Sequence, residues 1–221
     1  MSLVAAKDVT KTYRLGTQTV VALAGVSLAV EAGEFMAVAG PSGSGKTTLL
    51  NLIGCLDTPT SGEIEVDGER MTGLSAGRRA DLRARKLGFI FQTFNLIPVL
   101  TAWENVEYPL LLTKRRTDGT RVQTALEQVG LGDRARHRPN ELSGGQQQRV
   151  AIARALVTDP ALVLADEPTA NLDSKTGHEI IELMRRLNRE RRTTFVFSTH
   201  DPRIMNAADR VVEIRDGRLQ S

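Results

Sequence analysis

The stretch EFMAVAGPSGSGKTT, Glu34 to Thr48, joins an apolar run to a glycine-rich loop. The run that ends at Ala39 predicts a strand, and Thr47 to Leu56 has a helical pattern. Gly40 to Thr48 matches the phosphate-binding pattern GxxxxGK[ST], with the strand before it and the helix after it that this pattern requires. A fortuitous glycine turn is the weaker alternative in that context. The stretch therefore predicts an α/β fold with a phosphate site at the end of a strand.

The residues of this phosphate loop have separate expected tasks. Its glycines let backbone N–H groups converge on phosphate oxygens. Lys46 is expected to reach the β- and γ-phosphates of a nucleotide, and the Thr47 hydroxyl to bind Mg²⁺. The predicted loop consists of nine consecutive residues: Gly40, Pro41, Ser42, Gly43, Ser44, Gly45, Lys46, Thr47 and Thr48.

Apolar runs elsewhere in the chain predict the rest of a mainly parallel sheet. They are continuous rather than alternating, which is typical of parallel strands covered on both faces. Helical patterns at Gly144 to Val157 and Ser174 to Arg191 lie between them. The predicted strands, besides the one ending at Ala39, are Leu87 to Phe91, Ala161 to Ala165, Thr194 to Ser198 and Val211 to Ile214.

Two segments depart from this α/β alternation. Leu3 to Val30, together with GEIEVDGER and its Asp67-Gly68 turn, predicts an antiparallel sheet. Thr93 to Thr158 has helical patterns without clear strands, which predicts an inserted helical subdomain. We therefore expect one domain over residues 1–221, in which 1–92 and 159–221 form the β-subdomain and core, and 93–158 the helical subdomain.

Composition excludes several classes of function. Lys and Arg number 29 against 26 Asp and Glu, and the basic residues are scattered, so we expect no nucleic-acid partner. The single cysteine, Cys55, excludes an internal disulfide. The apolar runs are too short to span a bilayer. A soluble, cytoplasmic chain is expected, and any membrane part would come from another polypeptide.

A second glycine loop lies in ELSGGQQQRVAIARAL, Glu141 to Leu156. Ser143 is a capping-type residue, and Gly144, Gly145 and Gln146 follow it at the start of a predicted helix. A helix N-terminus of this kind binds anions. One nucleotide needs only one such loop, so the chain's own nucleotide does not account for this second one.

Polar residues follow three of the predicted parallel strands. Asp166 and Glu167 end LVLADE, where they are suited to hold Mg²⁺ and to deprotonate an attacking water, respectively. His200 ends TTFVFSTH and could hydrogen-bond phosphate, water and Glu167. Gln92 follows its strand and could contact Mg²⁺ or the water. The alternatives are an acidic turn, a structural histidine and an ordinary loop glutamine.

Seven features together resemble the ATPase subunits of ABC transporters: Tyr13, GPSGSGKT, Gln92, LSGGQ, LVLADE, the NLD of Asn171 to Asp173, and His200. The resemblance covers essentially the whole chain and implies a phosphate-loop NTPase (RecA-like) core that hydrolyses ATP with Mg²⁺. It implies catalytic roles for Glu167, His200, Lys46 and Gln92, and metal ligation by Thr47, Gln92 and Asp166.

The same resemblance explains the second loop. In this family two ATPase domains pack head to tail, and ATP lies between the phosphate loop of one and the signature loop, LSGGQ, of the other. Ser143, Gly144, Gly145 and Gln146 are therefore expected to contact the nucleotide of a second copy. Asp173 is expected to cross the interface, and Tyr13 to stack on adenine.

Finer similarity lies in NLIGCLDTPTSGEI and FQTFNLIPVLTAWENVEYPLLL, which resemble the lipoprotein-releasing and macrolide-exporter branch. That branch pairs with permeases of four transmembrane helices, so we expect export or lipoprotein release, with the chain on the cytoplasmic face of the inner membrane. Amino-acid importers and cell-division ATPases share parts of these stretches and remain alternatives. A soluble DNA-repair or chromosome ATPase would need a very long coiled coil between the two loops, translation-type proteins usually carry two cassettes, and a kinase has no use for LSGGQ.

The segment Thr93 to Leu100 is unusually apolar for a loop. Its sequence TFNLIPVL predicts a docking surface for a permease, with Ile97 as an anchor, because Pro98 disfavours a regular helix there. The alternative is that these residues form the core of the insertion itself.

Overall fold

The computed structural model describes residues 2–113 and 119–220, and its centre is a six-stranded sheet. The strand order is β10-β9-β3-β8-β7-β6, and every pair is parallel except β9 with β10. All residues of β3 and β8 are buried, as expected of strands covered on both faces. The predicted mainly parallel sheet is confirmed. Its strands are β3 Phe35–Ala39, β6 Leu87–Ile90, β7 Leu162–Asp166, β8 Thr194–Thr199, β9 Arg210–Arg215 and β10 Arg218–Leu219.

A second sheet is antiparallel, as predicted, with the order β2-β1-β4-β5. Asp67 and Gly68 both have positive φ, 50° and 73°, which suits the tight turn between β4 and β5. Along β4, exposed and buried residues alternate in the pattern of a sheet with one solvated face. The strands are β1 Ser2–Leu15, β2 Gln18–Glu31, β4 Ser61–Val66 and β5 Glu69–Arg70.

The helices surround the central sheet. Two of them were not predicted: α2 is too polar, with Leu82 its only buried residue, and α7 has only six residues. Single-turn 3₁₀ helices span Gly132–Arg134 and Pro139–Glu141. The helices are α1 Lys46–Ile53, α2 Ala76–Lys86, α3 Ala102–Leu112, α4 Thr120–Gln128, α5 Gly144–Leu156, α6 Ser174–Arg191 and α7 Pro202–Ala207.

The central sheet separates two hydrophobic cores because side chains alternate along its strands. On β3, Phe35 and Ala37 face one core, which includes buried residues of α3, α4, α5 and α6. Met36 and Val38 face the other core, beneath α1 and the antiparallel sheet. The described part of 93–158 contains α3, α4 and α5 and no strand, and these helices pack on the first core, while the subdomain boundary itself stays a prediction.

The parallel strands bring four sequence-predicted segments to one edge of the sheet. β3, β8, β7 and β6 are neighbours with the same direction, so their carboxyl ends lie side by side. The chain continues from these ends into the phosphate loop, His200, Glu167 and Gln92 respectively. Ligands bind at this edge of an open α/β sheet. In residues 2–113 and 119–220, no helix is long and apolar enough to cross a bilayer.

Candidate active site

Only glycine fits at two positions of the phosphate loop. Gly40 and Gly45 have φ values of 151° and 110°, in the region that side-chain-bearing residues rarely adopt. A Cβ at Gly40 would lie 2.2 Å from the Ile214 carbonyl oxygen, and one at Gly45 would lie 2.6 Å from that of Ala22. The loop is thus packed against the backbones of β9 and β2, which holds its N–H groups in a fixed arrangement.

Lys46 and Ser44 provide polar groups inside this loop. Lys46 is buried, and its Nζ donates to the carbonyl oxygens of Gly40 at 2.8 Å and Pro41 at 3.0 Å. The Ser44 hydroxyl is also buried, and it has no hydrogen-bond partner within the described part of the chain. A buried hydroxyl without a partner is costly, so the loop is suited to an additional polar ligand.

Thr47 and Asp166 meet across the gap between the loop and β7. The Thr47 hydroxyl donates to Asp166 at 3.0 Å from Oδ1 and 3.2 Å from Oδ2. Ser198, on the neighbouring strand β8, donates a further hydrogen bond to Asp166 Oδ1. The parallel pairing of β7 with β8 therefore fixes the carboxylate beside the start of α1.

Glu167 and His200 also meet at this edge, because their strands are adjacent. His200 Nδ1 lies 2.8 Å from Glu167 Oε1. The Glu167 side chain is 15% exposed and that of His200 is 72% exposed, so the carboxylate is sheltered and the imidazole is open to solvent. Glu167 has a positive φ of 45°, and its N–H donates to the Ser198 carbonyl oxygen at 2.9 Å. The backbone thus turns sharply after β7 and holds Glu167 next to His200.

These groups surround one open cavity of about 610 Å³, which we call the nucleotide cleft. Gln92 lines it, and its main-chain oxygen accepts a hydrogen bond from Asn171 Nδ2 at 2.9 Å. Val20 and Val21 line it as well and are 43% and 55% exposed. Sequence reasoning missed these valines, since only the packing of β2 against the phosphate loop brings them there. The lining is Val20, Val21, Ala22, Pro41, Ser42, Gly43, Gly45, Lys46, Thr47, Thr48, Gln92, Glu167 and His200.

Tyr13 lies one strand away from this lining. It pairs across β1 and β2 with Val20, and its hydroxyl donates to Asp57 Oδ2 at 2.9 Å. Burial and the contact with the Asp57 carboxylate raise the pKa of the Tyr13 phenol. Tyr13 is therefore close to the cleft through its strand neighbour, and stacking on adenine stays a prediction.

The signature loop lies outside the cleft, since none of its residues contributes to the lining. Ser143 caps α5: its hydroxyl accepts from the Gln146 N–H at 3.3 Å, and its own N–H donates to Gln146 Oε1 at 2.9 Å. Gly144 and Gly145 form the first turn of α5. Within one chain, the structure therefore does not bring the two glycine loops to one nucleotide.

Asp173 caps the neighbouring helix, α6. It accepts hydrogen bonds from the N–H groups of Lys175 and Thr176, both at 3.0 Å. Hydrogen bonds from Thr176 and Lys175 hold the pKa of this exposed carboxyl below its usual value. Asp173 does not line the nucleotide cleft either, and the Thr176 side chain connects its helix to the signature loop at Gly145.

Known proteins similar to this chain match it along nearly its whole length. The model of the ABC transporter family matches residues 23–170. The lipoprotein-releasing system ATP-binding protein LolD of Bordetella pertussis is 49% identical, over 97% of this chain and 94% of LolD. The macrolide export ATP-binding/permease protein MacB of Syntrophobacter fumaroxidans is also 49% identical, and this chain spans 31% of its length.

A solved structure resembles this fold closely. It is the dimeric ATP-binding cassette MJ0796 of Methanocaldococcus jannaschii, in a post-hydrolysis state bound to ADP and Pi. The TM-score is 0.91 at 46% identity, over 99% of this chain and 97% of the other. The family match, the long alignments and this fold agree with the cleft described above. The chain belongs to the ABC transporter family, as the component that binds and hydrolyses ATP.

Proposed function

We propose that this chain binds MgATP in the nucleotide cleft, hydrolyses it with Glu167 as general base, and works in a head-to-tail dimer that drives a membrane permease. One observation carries the proposal: Glu167, His200 and Gln92 face the phosphate loop in one cleft, whereas the signature loop lies outside it. Each loop has the features of an anion-binding site, and a single nucleotide occupies only one of them. The signature loop is then available to a nucleotide held by a second chain.

The phosphate loop fits a triphosphate. The Lys46 ammonium is bonded only to carbonyl oxygens of its own loop, and the buried Ser44 hydroxyl has no partner among the described residues. Charge-assisted hydrogen bonds to phosphate oxygens are stronger than bonds to carbonyl oxygens. Lys46 therefore exchanges the Gly40 and Pro41 carbonyls for the β- and γ-phosphates. Val20 and Val21 offer apolar surface nearby for the nucleobase.

Thr47 and Asp166 fit Mg²⁺, which prefers hard oxygen ligands and binds through one or two carboxylates together with substrate phosphates. Their oxygens already lie within 3.2 Å of each other beside the phosphate loop. The exposed Gln92 side chain lines the same cleft and supplies an amide oxygen as a further ligand. When bound, Mg²⁺ neutralises phosphate charge and orients the reacting phosphoryl group.

Glu167 is placed to accept a proton from the attacking water. His200 binds its Oε1, which orients the carboxylate and leaves the second oxygen to the water. The exposed face of the His200 imidazole is free to bind the γ-phosphate. Lys46 stabilises the charge that develops on the phosphoryl oxygens. These three residues, with Gln92, would perform the hydrolysis.

The signature loop supplies the other side of a composite site. The first-turn N–H groups of α5 carry the positive end of the helix dipole, which favours a phosphate. Dimeric solved structures of the MJ0796 cassette support such an assembly. In this arrangement Ser143, Gly144, Gly145 and Gln146 bind the nucleotide of the partner, and exposed Asp173 contacts the partner across the interface.

A mixed dimer tests the shared site. A Lys46→Ala subunit combined with a Ser143→Arg subunit places both lesions in one composite site and none in the other. We expect tagged heterodimers to keep ATP-driven dimerisation, measured by size-exclusion chromatography, better than either homodimer. The matched control places both substitutions in one subunit and pairs it with the wild type, so that each composite site has one lesion. A heterodimer no better than the homodimers contradicts the shared site.

A second cavity, of about 430 Å³, is a candidate dock for the permease. This docking groove lies between α2, β6 and the helices α3 and α5, next to the segment that follows Gln92. Leu56 and Leu112 on its wall are 47% and 60% exposed, which is unusual for large apolar side chains. Its lining is Leu56, Ala80, Asp81, Arg83, Ala84, Leu87, Gly88, Phe89, Phe91, Asn95, Pro109, Leu112, Arg154, Ala155 and Thr158.

The expected anchor, Ile97, does not line this groove. From the segment 93–100, only Asn95 does. The buried Asn105 side chain holds the Ile97 main chain, accepting from its N–H at 2.8 Å and donating to its oxygen at 3.2 Å. Leu96 packs against the first core. The segment thus serves partly the insertion's own packing, and we assign the apolar anchor to Leu112 instead.

The charges of the docking groove indicate what kind of segment occupies it. Arg83 donates to the Cys55 carbonyl oxygen at 2.7 Å, and Arg154 donates to those of Phe94 and Asn95. Neither arginine forms an ion pair with another described residue, and Asp81 is the only carboxylate in the lining. An apolar permease segment with an acidic residue would complement this groove.

The names of two relatives, LolD and MacB, favour lipoprotein release or macrolide-type export. We propose that the partner is a permease of four transmembrane helices and that this chain sits on its cytoplasmic side. An amino-acid-type importer or a cell-division complex is the alternative. We further propose that residues 93–158 act as the helical subdomain that transmits closure of the nucleotide cleft to the docking groove. Asn171 holds the main chain of Gln92, which lines the cleft just before this subdomain, and Arg154, which lines the groove, holds Phe94 and Asn95.

A further inference from the structure

Asp57 lies in the loop after α1, within the stretch NLIGCLDTPTSGEI, and has no role in the proposed function. Its two carboxylate oxygens hold two residues of β1. Oδ2 accepts the Tyr13 hydroxyl at 2.9 Å, and Oδ1 accepts Lys11 Nζ at 2.7 Å. Asp57 therefore ties the tyrosine expected to stack on adenine to a loop 44 residues away in the chain.

Lys11 contacts the same tyrosine a second time. Its Nζ lies 4.9 Å from the centroid of the Tyr13 ring, which is within the range of a cation–π interaction. Lys11 is buried, and its Nζ also donates to the Thr58 carbonyl oxygen at 2.7 Å. The ammonium is thereby fixed against one face of the ring.

The charge states suit this arrangement. Burial would raise the pKa of Asp57, but hydrogen bonds from Lys11, the Thr58 N–H and the Tyr13 hydroxyl outweigh it and lower the pKa. An ionised Asp57 only accepts hydrogen bonds, so the phenol must donate to it. Burial and Asp57 raise the pKa of Tyr13, which keeps that phenol protonated.

The contacts of Asp57 and Lys11 with Tyr13, which we call the clamp, lie next to the nucleotide cleft. Val20, which lines the cleft, is the cross-strand neighbour of Tyr13. An aromatic ring held at its hydroxyl and on one face loses little side-chain freedom when a planar ligand stacks on it. Ordering a side chain on binding otherwise weakens affinity.

We propose that Asp57 and Lys11 are positioning residues that hold Tyr13 ready to stack on the nucleobase, so that the base-dependent part of ATP affinity depends on Asp57. This rests on the proposed function, in which the nucleotide cleft binds MgATP, and on the prediction that Tyr13 stacks on adenine. Asp57 touches no phosphate site, because it does not line the nucleotide cleft. Its loss should therefore affect ligands that carry a base and spare those that do not.

The experiment compares dissociation constants for MgATP and for magnesium tripolyphosphate, which lacks the base. Tyr13→Ala removes the ring and so measures its full contribution to MgATP affinity. Tyr13→Phe keeps the ring and the Lys11–Asp57 pair and removes only the clamped hydroxyl, and Asp57→Asn removes the charge. We expect Tyr13→Phe and Asp57→Asn each to weaken MgATP by roughly 2- to 12-fold, the cost of ordering one side chain, and to leave tripolyphosphate unchanged.

Two controls separate positioning from a general structural role. Thr60 bonds Thr12 of the same strand without touching Tyr13, so Thr60→Ala should change neither constant. In the Tyr13→Ala background, Asp57→Asn should cause no further loss. The clamp is overturned if Asp57→Asn weakens binding of MgATP and of tripolyphosphate equally. It is also overturned if Asp57→Asn weakens MgATP binding as much in the Tyr13→Ala background as in the wild type.

The remaining outcomes distinguish this inference from the proposed function. If Tyr13→Ala weakens MgATP while Tyr13→Phe and Asp57→Asn do not, the stacking is correct and the clamp is wrong. If Tyr13→Ala changes neither constant, the assignment of Tyr13 to the nucleobase is wrong, and the clamp falls with it.

Discussion

The two glycine loops differ in what their glycines contact. In the phosphate loop, the space beside Gly40 and Gly45 is occupied by backbone carbonyls of other strands, and both glycines have positive φ. In the signature loop neither glycine has positive φ, and the neighbours are side chains: a Cβ at Gly144 would lie 3.6 Å from Leu172 and 3.8 Å from Phe94, and one at Gly145 would lie 2.5 Å from Thr176 Cγ2. The phosphate loop is therefore built into the core and preformed by its own chain, whereas the signature loop is a helix start that, in the proposed dimer, completes a site on the partner.

The largest effect should come from the chemistry beside the phosphate loop. Glu167→Gln keeps the shape of the side chain and removes its basicity, so ATP should still bind while hydrolysis falls by about 10²- to 10⁴-fold. The variant should also accumulate as an ATP-dependent dimer in size-exclusion chromatography. Glu179→Gln, on the surface of α6, is the matched control and should hydrolyse ATP normally. Near-normal turnover by Glu167→Gln would remove Glu167 from the role of base.

A pair of alanine substitutions tests the contrast between the loops directly. Gly45→Ala places a Cβ 2.6 Å from the Ala22 oxygen at a φ of 110°, so we expect a loss of about 2–4 kcal/mol in unfolding free energy and impaired ATP binding. Gly144→Ala has room and a helical backbone, so stability should change by less than about 0.5 kcal/mol. Thermal melting measures the stability of each variant, and nucleotide titration measures its ATP binding. Similar losses in the two variants would contradict the difference between the loops.

The docking groove extends the comparison to a third surface that needs a partner. Leu112→Asp should leave folding and ATP binding intact and weaken copurification with the permease by about 2 kcal/mol or more, as loss of an apolar anchor does. Leu111→Asp is the matched control, because Leu111 is 56% exposed on the same helix and does not line the groove. A pull-down with the permease in detergent measures binding of both variants, and thermal melting shows whether they are folded. Equal binding by the two variants would remove Leu112 from the dock.

Much of the fold could be predicted from local patterns. The continuous apolar strands, the Asp67-Gly68 turn and the helix from Ser174 to Arg191 all appear where the sequence indicates. The strand boundaries are shifted by at most one residue, and the helix has the predicted bounds. α2 was missed because Leu82 is its single buried residue and it shows no apolar stripe. The docking role of Ile97 stays a prediction, because an apolar residue in a loop has the same local pattern whether it docks a partner or packs in its own chain, and Asn105 holds only the Ile97 main chain.

The sequence by itself determined the elements whose signals are local: the phosphate loop, the capped start of α5, and the polar residues at the ends of three strands. These follow from backbone conformation and from side-chain periodicity, which nearby residues control. Only the tertiary structure decided which of them meet. Glu167 lies beside His200, and Asp166 beside Thr47, because parallel pairing of β7 with β8 and of β8 with β3 sets their register across long stretches of chain. The clamp on Tyr13 and the valines of the nucleotide cleft depend on contacts of the same long range, which no local pattern encodes.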